Sequence, residues 1–340
     1  MNSQILLSML AALVPALASA TPVTAYSMFS GNSTQIGADS TINSGLVGSN
    51  GDVTMLGGVL VKSGVDGGAD VSLGQGTVVN GSVIAGDQVN LNGGALVKGN
   101  VDASHASGVA VTLGANARVD GTITRAAGAS MNVSGTASYG SAVAGTPTPF
   151  STVSLPGASA FGAGGADVIK LGNQSTMLSA GSYDKINLGA NNTLNFSAGS
   201  YYFNSLTVDG YNTFNFDLSG GAIALYFTGN VNIGNHLNVV LTGGDASDLY
   251  AETMGNWSQD GFGEWTGTIF GAGATSNLSF GQSSTLNGSF IATHNLSILG
   301  NSVVSLGAVP AAGASIPEPA SLLLSALGLA GLALSRRRPR

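Results

Sequence analysis

Side chains able to do chemistry are few in this chain, and they are scattered. The 340 residues contain no cysteine and three histidines, His105, His236 and His294. That removes thiolate nucleophiles, thiolate metal centres and a disulfide framework. No histidine stands in an HExxH or similar ligand spacing, and no GxSxG elbow is present. Carboxylates are the remaining candidates. Asp66 and Asp102 share one kind of repeat position, as an acid–base pair on a polysaccharide-cleaving scaffold would, but Ile84 falls between them. Asp52 and Asp70 stand eighteen residues apart and would stack as calcium ligands, yet Gly67-Gly68-Ala69-Asp70 is a single imperfect fragment of a GGxGxD repeat. Asp245, Asp248 and Glu252 are a further oxygen-ligand cluster in an acidic stretch. Turn and surface roles explain all of these more simply. The expectation is no catalytic set, no metal, no cofactor and no enzymatic activity.

The elements that would position these residues are written in a hexad pattern. Val53 to Ala106 divides into nine hexads, and the first and third positions of each carry the apolar residues, sixteen out of eighteen. Only seven of the other thirty-six positions are apolar. An i, i+2 apolar pair followed by a Gly/Asn/Asp/Ser-rich break is a short strand with one buried side, then a bend. The match tightens at eighteen residues, where Met55, Leu73 and Leu91 align, as do Val61, Val79 and Val97. Three hexads close one coil, and each coil stacks about 4.8 Å above the last. The fold class is all-β: a three-faced parallel β-helix with about eighteen residues per coil in the N-terminal half. Such coils bury their apolar side only when stacked.

The rest of the chain follows in order. Residues 21–142 form the hexad section, with 26–50 as its first coil and cap. A four-residue insertion at Ala103–Gly108 is followed by Val111, Leu113, Val119 and Ile123, which repeat Val89, Leu91, Val97 and Val101 at +22. Residues 143–166, rich in proline and small residues, read as a connector. A second, wider β-solenoid section, 167–312, contains an eighteen-residue recurrence of Ala180-Gly181-Ser182-Tyr183 at Ala198–Tyr201. Within it, 244–264 reads as an acidic, aromatic surface loop. Leu60, Val78 and Leu96 point outward at spacing eighteen. They form an apolar stripe that is either covered by another segment or used for adhesion and self-association. The outward row Thr54, Ser72, Asn90 and Thr112 is too mixed to resemble the regular threonine arrays of ice-binding solenoids.

Charge narrows the partners. Between Thr21 and Ile316 there are six basic and sixteen acidic residues, a balance of −10, so nucleic acid is not expected. The ends carry targeting chemistry. Residues 1–20 have an apolar core and end Ala18-Ser19-Ala20, a signal helix with small residues at −3 and −1 for cleavage after Ala20, although no Lys or Arg precedes the core. At the other end, 313–340, Pro317, Glu318 and Pro319 lead into an apolar helix over 320–335, then Arg336, Arg337 and Arg338. That helix is short for a span of about twenty residues, and the arginines hold its end on the cytoplasmic side.

The tail resembles the PEP-CTERM sorting signal. The resemblance implies a Gram-negative-type envelope protein exported by the Sec machinery, held transiently in the inner membrane and handled by an exosortase. Residues 26–307 resemble the choice-of-anchor A family of surface adhesins, through YSMFSGNSTQIGADSTINSGLVGSNGDV near the start and GEWTGTIFGAGATSNLSFGQSSTLNGSFIATHNLSI near the end. What this implies is a structural or adhesive protein of the cell surface, extracellular matrix or biofilm, binding polysaccharide or itself. A carbohydrate-active enzyme or an ice-binding solenoid is the alternative.

Overall fold

The computed structural model describes residues 23–307. It is an all-β parallel solenoid of about 14 turns with almost no helix. Every hexad register holds: Val53, Val71 and Val89 stack, as do Met55, Leu73 and Leu91, and Val61, Val79 and Val97. All of these side chains are at most 1% exposed, so the i, i+2 pattern is an inside–outside alternation. The +22 step also holds, with Val89 paired to Val111 and Val101 to Ile123.

Three faces run the length of the rod. Face one is a single 13-stranded parallel sheet from Ala129–Val133 through Ser33–Ile36 to Val168–Lys170. Face two carries Leu60–Val61, Val78–Val79 and Leu96–Val97. Face three carries Val101–Ala103, Val65–Gly67, Tyr26–Ser30, Phe290–Ala292, Leu249–Thr253 and Gly199–Phe203.

The stacking order is not the chain order. Ser33–Ile36 pairs with Asp52–Met55 on one side and with Asn295–Ile298 on the other. Likewise Met28 pairs with both Val47 and Phe290. Residues 26–50 are therefore not a cap; they sit in mid-rod and are covered on both sides. From there the chain winds outward to Ala129–Val133 and Ser138–Gly145, crosses to the opposite end, and winds back from Val168–Lys170 until its last coil meets its first. The physical reason is simple. Main-chain ladder bonds are indifferent to side-chain identity, so any two parallel strands of matched length can join.

The connector is a strap, not a hinge between two bodies. Residues 146–166 have no regular secondary structure, yet they make polar contacts in succession with Asp102, Asn50, Glu252 and Ser182 on face three. Its first residues, 143–145, belong to strand Ser138–Gly145.

The second section is wider, with coil steps that change along it. Gly181 pairs with Tyr201, twenty residues on, so the Ala-Gly-Ser-Tyr recurrence at eighteen is not the register. Leu206 pairs with Val231 and Val231 with Trp257, steps of 25 and 26. A longer perimeter encloses more volume, and the interior fills with Phe196, Phe203, Phe214, Phe216, Phe227, Trp257 and Trp265.

The expected surface loop at 244–264 is overturned. It contains strands Leu249–Thr253 and Trp257–Gln259, with Glu264 opening the next, and both tryptophans are 1% exposed. It contributes strands to successive faces of one coil, and steps of 26 from the coil before it and 18 to 21 to the coil after it concealed it from the repeat pattern.

Candidate functional site

The outer faces are the candidate sites, and they differ. On face one the outward row is polar. Thr54 pairs with Ser72, Ser72 with Asn90 and Asn90 with Thr112, as the spacing predicts. The seam extends that row through Gln35, Ser297, Ser279 and Ser258 to Asn232, Thr207 and Asn187. The result is a continuous strip of hydroxyl and amide groups at a spacing of about 4.8 Å.

On face two Leu60, Val78 and Leu96 do stack. Each is half-buried, and the strap lies on another face. Lys62 and Lys98 are exposed just beyond Val61 and Val97.

Face three is where the strap binds. Its outward row runs Asp102, Ile84, Asp66, Gly48, Phe29, Ile291, Phe270, Glu252, Tyr226 and Tyr202. Asp66 and Asp102 are thus on one line with Ile84 between them, and both are engaged. Asp66 accepts from the Tyr26 hydroxyl at 2.8 Å, while Asp102 accepts from Thr148 N of the strap at 3.2 Å. Burial pushes the Asp66 carboxyl up from the ordinary 3.8, opposed by the Tyr26 hydrogen bond. Asn50 holds Val153 by two bonds, accepting from its N–H and donating to its carbonyl, both at 2.9 Å.

Glu252, expected in a solvated loop, is fully buried. Its carboxylate accepts from Ser159 N and Ser159 Oγ at 2.7 Å each, and from the Tyr250 hydroxyl at 2.8 Å. Burial and the neighbouring Glu252 charge push both tyrosines up, Tyr226 to about 12 and Tyr250 further. Phe161 of the strap closes the aromatic row, 5.0 Å from Tyr226, which stacks on Tyr202 at 5.3 Å. The spacing rule missed this anchor because residues 226 and 252 pair at 26, outside any eighteen-residue count.

The other candidates have structural partners. Asp52 Oδ1 accepts from Asp70 N at 3.1 Å, and Asp70 Oδ1 from Gln88 N at 3.0 Å. Those two aspartates tie each coil to the next. His105 contacts Asp87, and His294 Nδ1 lies 3.1 Å from Asn277 Oδ1. Among the described residues no three His, Asp or Glu side chains gather around a point that could hold a metal ion. Ala18, Ala20, Pro317, Glu318, Pro319, Arg336, Arg337 and Arg338, with both terminal helices, lie outside the described residues.

Comparison with known proteins adds two family matches and one fold likeness. Residues 315–338 match the PEP-CTERM protein-sorting motif. The chain therefore carries an exosortase-type sorting tail and is an exported protein. Residues 172–261, most of the wide section, match a domain of unknown function (DUF7305). No curated protein matches the chain. Among solved structures, an ice-binding protein from an Antarctic bacterium, Flavobacteriaceae, is 11% identical, over 84% of this chain and 97% of that one, with a TM-score of 0.29. A score that low carries no argument about ligand.

Proposed function

We propose that this chain is a structural or adhesive rod of the cell surface or extracellular matrix, released or displayed by an exosortase, and that it acts through its surface without catalysis. The single observation behind this reading is the union of the sorting motif at 315–338 with a 13-stranded face whose outward row is small and polar. A sorted, stacked body with a continuous hydrogen-bonding strip suits contact with a polymer or another surface. The resemblance to choice-of-anchor A adhesins supports the same role, as does the half-exposed stripe Leu60, Val78 and Leu96, which offers a second contact face.

The test is fractionation of cells producing the full chain and a variant with Pro317, Glu318 and Pro319 replaced by alanine. The wild-type protein is expected at the surface or in the matrix without its tail. The variant is expected uncleaved in the membrane. Full-length wild-type protein in the cytoplasm overturns the proposal.

Ice binding is a second reading: the row Thr54–Ser72–Asn90–Thr112, although mixed in residue type, continues in register along the 13-stranded face. Unchanged ice-crystal shape in the presence of the purified protein removes it.

A further inference from the structure

The polar strip of face one is not uniform. Where the coils are widest it sinks into a groove of about 430 Å³, within the size range of small-ligand sites. Three successive coils build it. Thr207, Asn232 and Ser258 form the floor row, and Asp209, Gly234 and Asp260 the next row. Asn235 stands at the rim beside Gly210. Gly234 cannot carry a side chain, because a Cβ there would lie 2.7 Å from the Asp209 carbonyl carbon. That gap keeps the groove open between two carboxylates.

The groove gathers unpartnered polar side chains from three successive coils around one hollow. Elsewhere, corner residues hold the next coil: Asn230 Oδ1 accepts from Asn256 N at 2.9 Å, and Asn212 Oδ1 from Asn192 N at 2.7 Å. Thr207, Asp209, Asn232, Asn235, Ser258 and Asp260 are all exposed, and their side chains make no hydrogen bond within the described residues.

The rim carries a second anomaly. Most coils turn this corner through one residue in the left-handed region, usually Gly, Asn, Asp or Ser. In the three coils of the groove the residue is Tyr211 (φ 63°), His236 (φ 57°) or Phe262 (φ 59°). A bulky side chain in that conformation is strained, and such strain is typically kept where a site needs it. The rings stack, Tyr211 on His236 at 4.4 Å and His236 on Phe262 at 5.2 Å, with Tyr211 57% and Phe262 50% exposed.

We propose that this groove binds an uncharged polysaccharide, deepening the surface role proposed above and resting on it. Free hydroxyl, amide and carboxylate groups at coil spacing match the vicinal hydroxyls of a sugar chain. The exposed rings at the rim offer apolar surface to its C–H faces. Two carboxylates and no basic residue in the lining disfavour an anionic glycan. Three coils give a floor about 10 Å long between outer strands, the length of two or three sugar units.

The experiment is affinity electrophoresis of the purified full chain in gels containing cellulose derivatives, a β-1,3-glucan, dextran, a galactan or a mannan, with alginate as the anionic comparator. Retardation by at least one neutral polymer and not by alginate is expected. Ser258→Tyr, which fills the groove, should weaken that retardation at least tenfold, whereas Ser72→Tyr on the same face should leave it within twofold. Should Ser258→Tyr fail to fold, Tyr211→Gly suits the left-handed backbone and should still lose affinity several-fold. Equal binding by the groove variant and wild type, equal loss in both tyrosine variants, or no neutral polymer bound would each overturn the inference. Surface display judged by fractionation is independent of these outcomes, so either proposal can fail alone.

Discussion

The coils of 53–126 and those of 167–306 stack by the same ladder but fill their interiors differently. In the first set, steps of 18 and 22 enclose a slim core of Val, Leu and Ala, with Val79, Ala85, Val97 and Ala103 all fully buried. In the second, steps that vary from 18 to 26 enclose Phe214, Phe216, Trp257 and Trp265, whose rings meet edge to face, the two tryptophans at 4.8 Å. Perimeter sets volume, and volume sets the side chains needed to reach close packing. Surface follows too. The slim coils keep a regular exterior, whereas the wide ones hold the Glu252 anchor and the groove at Asp209 and Asp260. Regularity serves the stack, and departure from it makes sites.

Truncating the two cores is the strongest way to break that comparison. Trp257→Ala is expected to cost about 3–5 kcal/mol, and Val79→Ala roughly 1.5–2.5 kcal/mol, read as shifts of the urea unfolding midpoint. Equal losses would mean that the wide coils relax around the cavity and are not filled as tightly.

Strap docking is the next largest effect. Glu252→Ala leaves the Ser159 N–H without its acceptor and should cost roughly 2–3 kcal/mol. Limited proteolysis within 146–166 should accelerate at once, while Asp52→Ala, outside the strap, should leave that cleavage rate alone. An unchanged rate in Glu252→Ala would show that apolar contacts such as Phe161 on Tyr226 hold the segment by themselves.

Corner backbone comes third. Gly76 has φ +70° and open space where a Cβ would stand. Gly76→Ala should therefore cost about 1–2 kcal/mol from the left-handed backbone alone, measured by the same unfolding curves. A neutral result would mean that the corner tolerates side chains freely, which would remove the strain argument at Tyr211.

The smallest effect is a pH dependence. Asp66 has its folded pKa raised above 3.8 by burial. Its contribution to stability is full below that value and is lost as pH rises through the raised folded pKa. Asp66→Asn should then melt higher than wild type at neutral pH, with the gain shrinking as pH falls toward 3.8. A gain that grew on acidification would reverse the assignment.

Much of the fold was legible before any coordinates. The i, i+2 apolar pairs named the inward positions, and the recurrence at eighteen named the partners of Val71, Leu73, Val89 and Leu91. The stripe Leu60–Val78–Leu96 and the row Thr54–Ser72–Asn90–Thr112 stack as read. Legibility failed where the period changed: residues 244–264 look like a loop only because the coil step rises to 26 before them and falls to 18–21 after them. The candidate site was less legible still. Asp209, Asn232 and Ser258 lie at unequal separations and become neighbours only through stacking.

The sequence by itself determined which side of each strand is buried, because alternation along a strand is a local consequence of backbone geometry. It also carried the sorting tail, a linear signal that needs no fold around it to be recognised. Tertiary structure alone decided that Tyr26–Ser30 sits beside Phe290–Ala292 and that 146–166 crosses the rod to reach Glu252. Ladder hydrogen bonds accept any parallel strand, so the choice among partners rests on matched coil shape and a few long-range anchors, neither of which has a period to read.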